Sequence, residues 1–454
     1  MAPETPKANF IDPDIEKAFI WLLSFLTKDS WKKRKEEIEN QITIKPSAEA
    51  VDINDMAIIG STNDKMGWYL YLIECYLYDI AKYEPIQGAR IAPIFSRLGN
   101  SMQDLLKIEG LEKKIGRLFG KEKNQADAIL FEILTALLWV RNGWEVKFLP
   151  ESPPLKQPDL FAQKDGKEWY IECKRLSKSS DYSQVERKKR TVMLSYLSDL
   201  LLKLNLVLDI IFHVEITSLE DNFLYKQLHE KLLLVIVPGI LISTELIEVR
   251  VYFIDFEAIN THLEIWNVKY PSTQVAELIA GKRTDLEDFT CGVKARFVPM
   301  STGKGNHQYI HSIEKAFGVY WKCDSSEAIN AKSRDVWRQL KSAVEQLPIG
   351  KNCAVHIGIE TLDGTDVEVV RFNKIFNTVS FFDTENKDLK WITCHFFQSY
   401  TPPQQDWIID ETVTFFSKDF LQRQDPLKEK FLIIPWDGEN VDDVHWNRPK
   451  PGIT

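Results

Sequence analysis

The sequence predicts an α/β protein in which a mixed sheet flanked by helices follows a helical N-terminal domain, with further α+β regions towards the C-terminus. Three features predict it. Apolar residues recur at helical spacing through residues 1–120. From Asn124 a helix pattern hands over to short alternating segments separated by Pro and Asp-Gly signals. From Ala331 a helix pattern returns and runs into a nearly unbroken apolar segment, the pattern of a strand buried on both faces.

Asp14 to Ile42 holds Phe19, Ile20, Leu22, Leu23 and Leu26 and then the charged run Lys32 to Glu39, as one amphipathic helix or two joined at Asp29-Ser30 would. Trp68 to Tyr83 is apolar on most faces, like the central helix of a small bundle. Residues 121–216 read as the core domain. Asn124 can cap a helix to about Arg141, with Leu130, Ile133, Leu134, Leu137 and Leu138 at helical spacing and Gly143 just past its end. Trp144, Val146 and Phe148 then alternate with Glu145 and Lys147 as a strand, and Pro150, Pro153 and Pro154 mark a loop. Two short strands flank Asp165-Gly166, Lys178 to Leu204 is mostly helical, and Leu206 to Ile216 is β-rich.

Residues 217–330 read as an accessory or inserted α+β region. It has a helix near Phe223–Leu233, strands near Ile240–Ser243 and Glu248–Phe256, and an irregular stretch over 260–325. Residues 331–454 form a C-terminal α/β region. Ala331 to Leu347 is an amphipathic helix stopped by Pro348 and Gly350, and the strand Cys353–Ile359 could complete the sheet begun at residue 144, so that 331–360 would join the core. The tail after Pro402 is expected to drape over the surface.

Hydrophobic residues make up 44% and charged residues 27% of the chain, which excludes wholesale disorder and fibrous classes. The formal charge of −9 means that a polyanionic partner must meet a local basic surface. The longest apolar stretch, Leu232 to Ile242, is too short for a membrane span and is interrupted by Pro238 and Gly239, so it reads as buried core. The first residues lack a basic segment followed by an apolar one, so a cytoplasmic protein without membrane partners is expected. Cysteines 75, 173, 291, 323, 353 and 394 include no Cys-x-x-Cys pair, which favours reduced, mostly buried thiols over a zinc ribbon. Phosphate-loop and serine-nucleophile motifs are absent. His356 alternates within an apolar strand and reads as a satisfied core residue.

The chemistry concentrates around Asp165-Gly166. A two-residue turn there pairs Lys164 with Lys167, so that Leu160 faces Ile171, Phe161 faces Tyr170, and Asp159 lies opposite Glu172. Period-two alternation adds Lys174 to the same face. Directly opposed strand residues have Cβ atoms ~4.5–5.5 Å apart, and two carboxylates so placed repel unless something positive sits between them. A divalent cation and Lys174 would both serve. An oxygen-only donor set with room for water suits Mg²⁺, with Mn²⁺ as a substitute.

Pro158-Asp159, twelve residues, then Glu172-Cys173-Lys174 resembles the signature of the PD-(D/E)XK nuclease superfamily, whose fold is restriction-endonuclease-like. The resemblance covers about 124–205, with 331–360 as a candidate completion of the core, and leaves more than half of the chain outside it. It implies a Mg²⁺-dependent endonuclease in which Asp159 and Glu172 bind metal, the Cys173 carbonyl contributes, Lys174 positions the nucleophile, and Glu132 on the preceding helix is a further metal-linked carboxylate. It also implies nucleic acid as substrate, DNA ahead of RNA, a bacterial restriction or antiviral role, and a homodimer or partner-protein complex. From Glu172 to Arg190 there are seven basic and three acidic residues, so Arg175 and the run Arg187, Lys188, Lys189 and Arg190 are candidate phosphate contacts; a solvated helix face would carry the same run. Two rivals stay open: a silent nucleic-acid-binding scaffold on the same fold, and a nuclease gated by a partner or ligand.

Overall fold

The computed structural model describes residues 12–41, 51–52, 64–80, 83–150, 157–176, 180–270, 273–281, 288–298, 308–400, 407–417, 425–435, 438 and 443–447. The first residues, the Pro153-Pro154 part of the loop, Lys178 and Pro402 lie outside them. The protein is α/β, with two mixed sheets flanked by helices and a helical N-terminal region. Among the described residues no helix is long and apolar enough to cross a membrane.

The N-terminal region comprises the helices Pro13–Leu23, Lys28–Gln41, Lys65–Tyr78, Pro85–Asn100, Met102–Leu105 and Leu111–Phe119. Asp12 starts the first by accepting the Asp14 amide, with Pro13 at the first helical position. The break before the second falls at residues 24–27 and not at Asp29-Ser30, because the Thr27 hydroxyl accepts the Ser30 amide and starts a new helix there. These helices pack against the helix Ala126–Arg141 in one core that includes Tyr71, Phe95 and Trp139. Asn124 does not cap that helix. It sits within a single 3-10 turn, Lys123–Gln125, and no side chain caps the start.

The described strands are β1 (Val51–Asp52), β2 (Glu145–Phe148), β3 (Leu160–Lys164), β4 (Lys167–Leu176), β5 (Leu206–Phe212), β6 (Gly239–Ser243), β7 (Ile247–Phe253), β8 (Val268–Tyr270), β9 (Phe289–Val298), β10 (Gln308–Cys323), β11 (Cys353–Glu360), β12 (Leu389–Tyr400) and β13 (Ile408–Ser417). The first sheet runs β13-β12-β11-β4-β3-β2, with β4, β11 and β12 mutually parallel. The helix Ala126–Arg141 covers the face bearing Ala162, Ile171, Cys173 and Ala354. The helices Trp337–Val344 and Thr365–Phe381 cover the opposite face, which bears Val355, Ile357, Ile359 and Ile392. Burial on both faces is why β11 reads as nearly continuous apolar sequence.

Gly358 in β11 faces Phe131 of the Ala126–Arg141 helix: a Cβ there would stand 2.7 Å from the Phe131 ring and 2.9 Å from Arg175 Cδ. Gly358→Ala is therefore expected to lower stability by about 1–3 kcal/mol, measured by urea unfolding. An unchanged midpoint would show that Phe131 and Arg175 yield freely.

The second sheet runs β1-β9-β10-β5-β7-β6, with β8 on β10. The chain leaves the first sheet after β4, builds this second sheet, and returns through the helices Ser326–Lys332 and Trp337–Val344 to β11. β5 consequently sits in the second sheet and not beside the hairpin. The described residues of 260–325 are not irregular: they hold the end of the helix Phe256–Ile265, β8, the helix Thr273–Ala280, and the long strands β9 and β10, while 271–272, 282–287 and 299–307 lie outside the described residues. Two register shifts and the polar residues Ser312, Glu314 and Lys315 break the period-two signal of β10. The Ala331–Leu347 helix is two helices parted at residues 333–336. The tail contributes β13 to the first sheet. Leu232–Ile242 is not buried core, since Leu233, Leu234, Ile236, Val237 and Ile240 face solvent beyond a helix end and along an edge strand. All six cysteines are buried, and none forms a disulfide.

Candidate active site

Asp165 and Gly166 both adopt positive φ, 48° and 73°, the conformation of a type I′ hairpin turn. The turn sets the register Lys164–Lys167, Phe161–Tyr170 and Leu160–Ile171 between β3 and β4. The β3 ladder stops at Leu160–Ile171, whereas pairing of β4 with β11 continues through Leu176. From Glu172 onward β4 is therefore partnered by β11 alone among the described strands. Asp159 stands one residue outside the ladder. Its carbonyl accepts the Leu149 amide at 2.9 Å on the β2 side, and its Oδ2 accepts the Cys173 amide at 2.8 Å.

Glu172 is only 1% exposed. Its Oε1 accepts Lys174 Nζ at 2.5 Å and Gln346 Nε2 at 2.8 Å. Its Oε2 is buried without a hydrogen-bond partner. Burial, and then the charge of Asp159, push the Glu172 carboxyl up to about 9 against the opposing pull of Lys174, and Glu132 adds a little in the same direction. Glu132, on the Ala126–Arg141 helix, forms an ion pair with Lys114 of the helix Leu111–Phe119. Lys174 keeps 20% of its side chain exposed. The Cys173 thiol is pushed well above its ordinary range, by burial first and then by Asp159, Glu132 and Glu172, so it is no thiolate nucleophile.

Among the described residues, no group of three or more His, Cys, Asp or Glu side chains stands ready to hold a metal ion. The donor chemistry at the hairpin mouth nevertheless suits a hard divalent cation. The charge of Asp159 raises the proton affinity of Glu172, and one Glu172 oxygen is buried without a hydrogen-bond partner.

Between the ordinary carboxyl range and about 9, folded Glu172 holds a proton that the unfolded chain has released, so stability falls as pH rises through that window. Glu172→Gln removes the loss. Without divalent cations it is expected to match wild type near pH 4 and exceed it near pH 8 by on the order of 1–3 kcal/mol. Urea unfolding at the two pH values is the check, and a difference that does not grow with pH would contradict it.

The candidate phosphate contacts are placed unequally. Arg175 turns inward, donating to Glu360 at 2.8 Å and lying over the Phe397 ring at 4.8 Å. Arg190 is buried against Glu186 and Asp288, at 2.8 and 2.9 Å, and Lys332 joins Glu186 at 2.6 Å. Burial pushes the Asp288 carboxyl up, but Arg190, Lys332 and Arg187 outweigh it and hold it below the usual range. Lys189 pairs with Asp221 at 2.5 Å, and Lys188 is exposed. The run thus spends Arg187 and Arg190 on an internal ionic cluster and leaves Lys188 to solvent.

Sequence reasoning misses Gln346 and Lys114, because a polar residue near a helix end carries no sign of the carboxylate it will meet. It also misses a buried chain of hydrogen bonds behind the site. Trp139 Nε1 donates to His356 Nε2 at 3.1 Å, and His356 Nδ1 meets His395 Nε2 at 3.0 Å. His395 Nδ1 meets Glu411 Oε1 at 3.2 Å, and Glu411 also accepts the amides of Leu432, Ile433 and Ile434 at 2.8, 2.8 and 3.2 Å. Since indole nitrogen only donates, the chain runs one way, with both histidines neutral and protonated on Nδ1. Burial first, then His395 and Lys430, push His356 well below its ordinary range. His356 is thus a hydrogen-bonded core residue.

No protein-family model, curated protein or solved structure matches the chain.

Proposed function

We propose that this chain is a metal-dependent nuclease of the PD-(D/E)XK kind, with a restriction-endonuclease-like core, that hydrolyses phosphodiester bonds of nucleic acid, DNA ahead of RNA, in bacterial restriction or antiviral defence. One observation carries the reading. Asp159, Glu172 and Lys174 meet where β3 and β4 part, and a buried Glu172 oxygen there has no hydrogen-bond partner. The order of elements supports it: the Ala126–Arg141 helix, β2, and then the β3–β4 hairpin.

Asp159 and Glu172 would hold Mg²⁺ or Mn²⁺, with the Cys173 carbonyl and Glu132 as further donors. A bound divalent cation supplies a water of lowered pKa and positive charge for the phosphate oxygens. Gln346 fixes Glu172 through Oε1 and leaves Oε2 as the donor. Lys174, the partly exposed cation of the group, can bind a phosphate oxygen, hold the attacking water and offset charge gathering on phosphorus.

Burial of Glu172 and the Glu132–Lys114 ion pair favour one variant of this reading, an enzyme closed at rest and opened by a partner or ligand. The test is incubation with supercoiled plasmid, linear duplex, single-stranded DNA and RNA, each with Mg²⁺, Mn²⁺ or EDTA. Cutting that needs the metal and is lost in Asp159→Ala is expected. Silence on every substrate would shift the reading to the gated enzyme or a non-cleaving scaffold.

A further inference from the structure

We propose that the apolar loop Leu233–Ile240, with the edge strand β6, is the surface through which two copies of this chain associate. Residues 233–238 join the helix Phe223–Leu232 to β6, the edge strand whose first two residues, Gly239 and Ile240, complete the patch. Leu234 and Ile236 are 78% and 86% exposed, and Leu233, Val237 and Ile240 are also more than half exposed. Together they present on the order of 600 Å² of apolar surface, the upper end for a monomer's largest patch and close to the ~800 Å² each partner buries in a standard interface.

The occupant follows from charge and symmetry. From Leu232 to Thr244 there is no charged residue, whereas the chain as a whole carries −9. Two copies repel each other over most approaches, and this patch is where like charges do not meet. An uncharged patch is also self-complementary, as a two-fold interface must be, and such an interface closes at two copies. β6, Gly-Ile-Leu-Ile-Ser, has no charge or proline guarding an outer edge that no described strand pairs. A bulge between Ile240 and Ile242 interrupts it, so the loop and not a long ladder supplies most of the contact. The flanking Glu230, Lys231, Glu245 and Glu248, with Arg250 opposite Ile240 paired to Glu248 at 2.9 Å, form no basic collar of the kind that draws a segment to anionic lipid.

The experiment is sedimentation velocity of the full chain from about 1 to 100 µM, for wild type and the double variant Leu234→Lys, Ile236→Lys. Both side chains point to solvent, so the variant is expected to keep the wild-type melting temperature and circular dichroism. Wild type is expected at twice the chain mass, and the variant at the single mass with dimer affinity lowered 100-fold or more. Wild type at the single mass throughout overturns the proposal, as does a variant that still dimerises. Flotation of a monomeric wild type with phosphatidylcholine–phosphatidylserine vesicles, lost in the variant, would assign the patch to lipid and overturn it too. The result does not depend on whether the chain cuts nucleic acid.

Discussion

Lys174→Ala is expected to reduce metal-dependent cleavage of nucleic acid by on the order of 10³-fold or more while the chain stays folded. The ammonium group bonds Glu172 Oε1 and is partly open to solvent, so on the proposed reading it would bring positive charge to a phosphate held beside the two carboxylates. Its loss leaves Asp159 and Glu172 in place, so Mn²⁺ binding should persist. Asp159→Ala should lose both binding and cleavage, because it removes one of the two facing carboxylates. The two variants thus separate a residue acting on the substrate from one holding the cation. Turnover retained in Lys174→Ala would remove the lysine from the mechanism.

The second large effect is structural. Glu411→Ala would leave the His395 Nδ1–H and the amides of Leu432, Ile433 and Ile434 facing a vacancy in the core. Stranding several buried donors at once is expected to cost about 3–5 kcal/mol. The loss should be concentrated where the bonds were, so amide hydrogen exchange at residues 432–434 should accelerate by ~100-fold or more. Glu411→Gln, which keeps an acceptor oxygen, should lie between the two. Exchange unchanged in Glu411→Ala would mean that the segment is held by its apolar contacts, Leu432 and Ile433 among them.

The hairpin is the most legible part of the protein. A two-residue Asp-Gly turn leaves a single register, and residues 160–171 pair in it. What lies just past the ladder is harder to read. Alternation puts Asp159 opposite Glu172, but it does not tell that Asp159 turns to the Cys173 amide. Gln346 reaches Glu172 across 174 residues of chain, and sequence periodicity holds no information at that distance. The basic run Arg187–Arg190 misleads for the opposite reason. Its charges look solvated until Asp288, just before β9, and Lys332, on the helix Ser326–Lys332, are brought beside Arg190 and Glu186 of the same helix. The Leu232–Ile242 run shows the same limit, because apolar composition does not say whether a covering element exists within the chain.

The most direct measurement is Mn²⁺ binding to wild type and to Asp159→Ala, followed by the loss of free-ion electron paramagnetic resonance signal. One ion bound by wild type and lost in the variant is expected if Asp159 and Glu172 form the metal-holding centre of a nuclease. Equal binding by the two proteins, or none by either, would contradict it.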